Sequence, residues 1–264
     1  LDTLRALLAG HGIGLSDVRA LLLTHIHLDH AGATGSIVTE NPEIDVYVHE
    51  AGAAHMIDPA KLLASAGRLY GADMDRLWGE FLGVPERNIR RLSGGERITV
   101  GDRELDVVYI PGHASHHVGF FDSTSGLAFV GDTAGVRIGD ELFSMPPTPP
   151  PDIDFDQWEQ SIELIRNRRP TTLFITHFGP HEDTDAHLDA LLEHLDAMTQ
   201  MARRHLERAG DDSERMTAFS DEMRVYVHRH VSLAAAAHYD SAAPFTMCWL
   251  GLARYWKKRG VGVS

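Results

Sequence analysis

The stretch "THIHLDHAG", Thr24–Gly32, places His25, His27, Asp29 and His30 within six positions. It follows the apolar run Ala20-Leu21-Leu22-Leu23, which reads as the end of a buried strand. Hydrated, titratable side chains are costly there unless they are paired or bound to something. In an extended segment residues two apart point the same way, so His25 and His27 are able to meet one ion. Asp29 and His30 follow as the chain turns toward a helix, facing an adjacent position. A mixed imidazole and carboxylate set suits Zn2+, Fe or Mn better than Ca2+ or Mg2+. A solvated charge cluster is the bland alternative, and its clustering at a strand terminus weighs against it.

The same pattern recurs further along the chain. "VVYIPGH" ends in His113, "LAFVGDT" carries Asp132, and "TLFITHFGP" carries His177. Each apolar strand delivers one ligand-type residue into a loop beside glycine. A lone histidine after a strand says little; four such deliveries in one chain form a joint signal.

Around these motifs the patterning is α/β. A helix is expected over Leu1 to about Gly12, a strand over Ala20–Thr24, a helix over Ala31–Glu40 and a strand over Ile44–His49. Residues 50–83 read as two or three short helices, with Leu62, Leu63, Leu69, Met74, Leu77, Trp78 and Phe81 as their apolar positions. Strands return at 98–100, 104–110, 118–122 and 127–130. "SMPPTPPPDID", Ser144–Asp154, is a proline-rich loop that cannot form regular ladders. A helix over 155–168 and a strand over 172–176 follow, and from Thr184 on the pattern is helical. His187, His194 and His205 sit within that helical periodicity and read as packing residues. The expected organisation is a catalytic region over 1–183 and a helical region over 184–264.

Composition narrows the function classes. A 264-residue chain with 43% hydrophobic and 23% charged residues is ordinary for a globular protein. Its formal charge of −14 repels phosphate backbones, so no nucleic-acid partner is expected. No apolar run reaches membrane-spanning length, so no membrane partner is expected either. Cys248 is the only cysteine, which excludes an intrachain disulfide and a cysteine-rich metal site. With no leader-like pattern at its start, a reducing, cytoplasmic compartment is the expected location. Seventeen histidines are many for this length. The aromatic helix "PFTMCWLGLARYWKKRG" is compatible with core packing or a homodimer contact.

"THIHLDHAG", "PGH", "GDT" and "THFGP", in this order, resemble the metallo-β-lactamase fold superfamily over roughly Leu1 to Pro180. The resemblance implies an αββα four-layer sandwich, here with a helical cap insertion over 50–83 and a helical C-terminal extension. It implies one metal site of His25, His27 and His113, a second of Asp29, His30 and His177, and Asp132 bridging two divalent ions. Zn2+ is the expected metal, with Fe or Mn compatible. Two such ions about 3.5–4 Å apart share a water, lower its pKa and direct the hydroxide at a carbonyl or phosphoryl centre. Asp29 is placed to shuttle a proton to the leaving group, which makes Asp29 and Asp132 the expected catalytic residues. His117 resembles the second histidine that often follows "PGH" in the superfamily, and His116 stands where glycine is frequent. The superfamily normally opens with a pair of strands before the first helix; this sequence begins at the helix, so a truncated start or an atypical first sheet is expected.

The implied activity is hydrolysis of an ester-like bond in a small molecule: a lactone, phosphotriester or thioester. The cap and the apolar loops suit a partly hydrophobic group, with Tyr70, Arg137 and Phe178 as candidate substrate contacts. A glyoxalase II-like thioesterase wants more basic residues than Arg137 alone after the "GDT" strand. Quorum-lactone lactonases often carry a tyrosine where Gly135 stands. An iron-dependent oxygenase or oxidoreductase on the same fold is the competing class. A mono-iron dioxygenase site would need only His25, His27, His113 and Asp132. His27 argues against a flavodiiron pattern, which usually has glutamate there.

Overall fold

Strand β1, Ala20–Leu22, ends three residues before the first histidine of the motif. The computed structural model describes residues 1–262, which divide into two compact units. The first comprises 1–109 with 116–122; the second comprises 110–115 and the chain from Ser123 onward.

In the first unit, β1 pairs in parallel with β2, Asp45–His49, and β2 in parallel with β3, Ile89–Leu92. Parallel neighbours need crossover connections. Between β1 and β2 these are helices α1, Leu28–Ala31, and α2, Thr34–Glu40. Between β2 and β3 the chain forms α3, Glu50–Ile57, α4, Ala60–Tyr70, and α5, Met74–Trp78, so the 50–83 insertion is helical as expected. One face of this sheet is covered by those helices: Val46 and Val48 are fully buried with Ile37, Val38, Ala53 and Met56. Leu62, Leu63, Tyr70, Met74 and Trp78 pack onto the same cluster, tying the insertion to the helix that carries Asp29 and His30.

The opposite face meets an antiparallel set. Strand β4, Arg97–Val100, pairs with β5, Arg103–Tyr109, and β5 with β6, Val118–Asp122. Leu22, Tyr47 and Leu92 of the parallel sheet pack against Ile98, Leu105, Val107, Val118 and Phe120. The unit is thus a helix layer, a parallel sheet and an antiparallel sheet. An N-terminal helix spans Asp2–Gly10, inside the 1–12 range expected.

In the second unit β7, Leu127–Phe129, runs parallel to β8, Thr172–Ile175, and β9, Gly179–His181, pairs antiparallel with β8. Helix α6, Phe155–Asn167, starts at Asp154, whose carboxylate accepts from Gln157 N–H at 3.1 Å. Its Trp158, Ile162 and Ile165 are fully buried. Four helices complete the unit: α7, Thr184–Leu206, α8, Asp212–His230, α9, Leu233–Ala242, and α10, Phe245–Lys258. Leu188, Leu191, Met198, Phe219, Trp249 and Leu252 are buried here. His187, His194 and His205 are buried too, each with a hydrogen-bond partner. Mixed sheets flanked by helices, with a helical C-terminal region, are thus what the patterning predicted. No helix among the described residues is long and apolar enough to cross a membrane.

Candidate metal centre

In the first unit the donors emerge from a single turn. Ile26 and Leu28 are buried in the helix-side core, and Gly52 closes on Ile26 so tightly that a Cβ there would lie 3.0 Å from it. With Ile26 anchored inward, the alternation turns His25 and His27 the other way. The turn is also pinned from below: Val118 N–H donates to Thr24 O at 2.8 Å. The rings gather closely, with centroids 4.6 Å apart for His25 and His27 and 4.0 Å for His25 and His30. His30 Nε2 lies 3.2 Å from Asp29 Oδ2. Thr24 Oγ1 is 3.2 Å from His25 Nδ1 and gives that nitrogen a partner within the motif itself. His117 is fully buried and stacks on His25 at 4.7 Å; His116 lies 6.2 Å from the same ring.

In the second unit three donors come from three strand ends. His113 follows β5, Asp132 follows β7 in a short turn over Gly131–Ala134, and His177 follows β8. Asp132 lies between the two histidines: Oδ2 is 3.4 Å from His113 Nε2, and Oδ1 is 3.5 Å from His177 Nε2. The arrangement is braced. Gly112, at φ +129°, admits no side chain because a Cβ would sit 2.3 Å from Trp158 Cα. Asp154 N–H donates to Gly112 O at 2.9 Å, and Ser161 Oγ to Pro111 O at 2.6 Å, so the start of α6 holds the "PGH" loop. Trp158 Nε1 donates to Thr133 O, and Thr133 Oγ1 to Ile110 O, at 2.8 and 2.9 Å. One tryptophan thereby ties the loop of Asp132 to the loop of His113.

A cation fits this chemistry. His113 Nδ1 is 2.8 Å from Pro147 O, which only accepts, so Nδ1 carries the proton of that bond. That bond leaves the ring's Nε2 facing a carboxylate oxygen at 3.4 Å. A second imidazole, that of His177, brings its Nε2 to 3.5 Å from the other oxygen. Imidazole nitrogens gathered at a buried carboxylate, one of them on a ring whose far nitrogen already donates to a carbonyl, make a donor set that suits a cation. The His and Asp side chains of these motifs are candidate metal-binding groups, and divalent metals suit them.

The candidate substrate contacts Tyr70, Arg137 and Phe178, and His49 at the start of the helical insertion, have definite positions. Tyr70 is half-buried against Trp78, with ring centroids 5.2 Å apart. Burial raises its hydroxyl pKa above the ordinary value, and the Asp29 carboxylate raises it further. His49 is buried, caps α3 by accepting from Ala51 N–H at 3.2 Å, and stacks on Tyr109. Burial lowers its pKa. Arg137 forms a bidentate pair with Asp183, both oxygens at 2.8 Å, and donates to the Glu141 and Asp140 carbonyls. Phe178 is 56% exposed and holds φ +72°, an uncommon conformation for a bulky residue. Arg137 and Phe178 both line an open cleft of about 490 Å³ with Asp140, His181 and Asp183.

The family model described as Metallo-beta-lactamase superfamily matches residues 1–177. The chain belongs to the metallo-beta-lactamase superfamily. Among its relatives there, a metallo-beta-lactamase fold-containing protein of Sulfurisphaera tokodaii is 25% identical, over 60% of this chain and 60% of that protein. A hydroxyacylglutathione hydrolase of Thermosynechococcus vestitus is 29% identical, over 44% of this chain and 34% of the relative. The chain therefore spans less than two thirds of either curated relative. A crystal structure of a metallo-beta-lactamase family protein from Thermus thermophilus superposes with a TM-score of 0.69 at 21% identity, covering 98% of this chain and 81% of that one. The superfamily match ends at His177, so the helices from Thr184 onward lie outside it.

Two parts of the centre escape sequence reasoning. The Pro147 carbonyl, which orients His113, is a backbone group in a loop notable only for its prolines. His187 reads as a packing residue from its periodicity. It is buried, but its Nε2 also lies 2.7 Å from Ala134 O, two residues beyond Asp132. No signal in the sequence marks either contact.

Proposed function

We propose that this chain is a metal-dependent hydrolase that holds two divalent ions, Zn2+ in the first instance, and cleaves an ester-like bond in a small molecule. The observation that carries this reading is Asp132, a buried carboxylate with one oxygen toward His113 and the other toward His177. In this reading His25, His27 and His113 would hold one ion and Asp29, His30 and His177 the other, with Asp132 serving both. Divalent ions held by these residues would supply an activated water as nucleophile and Lewis-acid polarisation of the scissile carbonyl or phosphoryl oxygen.

The protein's own groups would do the rest. Asp29, with a side chain 38% exposed, exchanges protons with solvent and returns one to the leaving group. Tyr70, held protonated, offers a hydroxyl hydrogen bond on the Asp29 side. Phe178 presents an apolar face beside His177 for the hydrophobic part of the substrate. The substrate class is a lactone, phosphotriester or thioester; the names of curated relatives such as the Thermosynechococcus hydrolase support including thioesters. We place the activity in the cytoplasm; the single cysteine, buried, supports that reading.

The test combines metal analysis of the purified protein with a panel of lactones, thioesters and phosphotriesters. Close to two ions per chain are expected, and His177→Ala should lose one of them with most of the hydrolysis. A single iron, with full activity retained in that variant, would sink the dinuclear hydrolase reading.

A further inference from the structure

The proline-rich segment between Phe143 and Pro151 lies as a strap across the second unit. At one end it pairs with the chain leaving Asp132: Val136 and Met145 exchange two backbone hydrogen bonds of 2.8 Å, and Ser144 Oγ donates to Ala134 O at 3.1 Å. In its middle, Pro147 O accepts from His113 Nδ1 at 2.8 Å. The other side of the strap is held by helices beyond the superfamily match. Tyr239 of α9 donates its hydroxyl to Phe143 O at 2.9 Å. Thr148 Oγ1 donates to Cys248 O of α10 at 3.4 Å, and Arg254 Nε to Pro151 O at 3.3 Å. The closest approach is at Gly251 of α10, where a Cβ would lie 2.0 Å from Thr148 O and 3.0 Å from Pro149 C. The helix backbone rests directly on the Thr148–Pro149 peptide, one residue past the Pro147 carbonyl.

We propose that helix α10 acts through this strap as the positioning element for His113: Gly251 lets the helix seat the strap, and the seated Pro147 carbonyl fixes the His113 tautomer and ring orientation. The inference rests on the metal-hydrolase reading above for its consequence, although the tautomer itself is a property of the protein alone. A histidine ligand whose far nitrogen donates to a fixed carbonyl is held in one ring orientation with a more basic coordinating nitrogen, and loss of such a partner typically weakens metal binding about 10–100-fold. The flexible alternative, a strap free to slide, would leave both tautomers of His113 open. Gly251 is thus a positioning residue: its whole role is to have no side chain where Thr148 O sits.

Gly251→Ala tests the idea, because the strap must shift to admit the methyl. Lys258→Ala, at the exposed end of the same helix, is the control. Metal affinity is read by competition with a chromogenic chelator on the metal-free protein, well below the unfolding temperature of every variant. The His113 tautomer is read on the metal-free protein by nitrogen-15 NMR of labelled histidine. Gly251→Ala should weaken the tighter ion about 10–100-fold and lose the single Nδ1–H tautomer, with Lys258→Ala unchanged in both. A folded Gly251→Ala protein with unchanged tautomer and affinity within about twofold of wild type would overturn the proposal. If Gly251→Ala does not fold, Thr148→Val decides. It removes one anchor of the strap at nearly constant shape, and a loss of His113 Nδ1–H protection supports the relay whereas wild-type protection overturns it. Should the wild-type protein bind no ion, the hydrolase reading falls, and the NMR comparison still decides whether the strap orients His113.

Discussion

Four donors in the first unit come from one turn of chain, whereas three in the second come from three separate strand ends. The turn after β1 is held locally: Ile26 and Leu28 anchor inward, Val118 holds the Thr24 carbonyl, and Thr24 supplies its own contact to His25. The second set has no such economy. His113 and Asp132 are held together by α6 and the strap, through Trp158, Thr133, Ser161 and Pro147, and His177 arrives separately at the end of β8. A contiguous set is fixed by its own alternation and a few neighbours. An assembled set is fixed by tertiary packing, so it should be the more easily broken by changes outside the donors.

The largest expected effect is at the carboxylate around which the assembled set is built. Asp132→Ala should lower hydrolysis by at least about 10³-fold, with fewer than two ions per chain. It should leave the unfolding temperature of the metal-free protein little changed, since a carboxylate beside two imidazoles is removed but no core is opened. Metal content and kcat on the best substrate of the panel check this. An Asp132→Ala protein with two ions and wild-type turnover would show that the assembled set is not the centre of the chemistry.

The contrast also explains what is legible in the sequence. "HIHLDH" declares itself because its donors are adjacent, and the four strand-end signals are readable because each strand before them is apolar. β3 is not, because "IRRL" shows no alternation: its two arginines are exposed while Ile89 and Leu92 are buried. β9 contains Pro180, which fits only because it pairs on one side, with β8. The strap is readable as irregular, but its use is not, since the atom that matters is a backbone carbonyl. Its partner Gly251 is one small residue in an otherwise ordinary amphipathic helix. Contacts made by backbone atoms leave no trace in residue type.

Next in size is the brace. Gly112→Ala places a methyl 2.3 Å from Trp158 Cα at a φ of +129°, so α6 must retreat or the "PGH" loop must change conformation. A loss of about 2–4 kcal/mol is expected, read by denaturant unfolding of the metal-free protein. The matching glycine of the first turn, Gly32, has no left-handed φ, but a Cβ there would lie 2.5 Å from Leu28 O. If Gly112→Ala cost less than about 1 kcal/mol, the assembled set would be no more dependent on packing than the contiguous one.

A third measurement separates both donor sets from the helical region. His194 is buried against Phe143, Tyr226 and His230, and burial, aided by His230, lowers its pKa from 6.5 to about 4. The folded protein therefore keeps this ring neutral where the unfolded chain takes up a proton. Its stabilising contribution is complete above pH 6.5, is lost as pH falls from 6.5 toward 4, and changes no further below that. Roughly 2–3 kcal/mol is at stake. Between pH 7 and pH 4.5 the metal-free wild type should lose most of that amount beyond His194→Phe, which cannot titrate. Equal losses in the two proteins would mean that acid sensitivity originates elsewhere, the donor histidines included.

The smallest effect should come from the contiguous set's own orienting group. Thr24→Val removes the hydroxyl 3.2 Å from His25 Nδ1, the counterpart of the Pro147 carbonyl at His113. The Thr24 backbone keeps its bond from Val118, and Ile26 keeps its place in the core, so the turn retains its course. What is lost is one hydrogen bond at a ring already confined by His27, His30 and His117. The cost expected is about 1 kcal/mol, or about fivefold in affinity for the tighter ion by chelator competition. That falls below the weakening expected when the strap is displaced at Gly251. Should Thr24→Val weaken the ion more than Gly251→Ala does, the order of dependence reverses. The contiguous turn would then need its orienting partner more than the assembled loops need theirs, because its rings, though crowded, would be free to rotate without it.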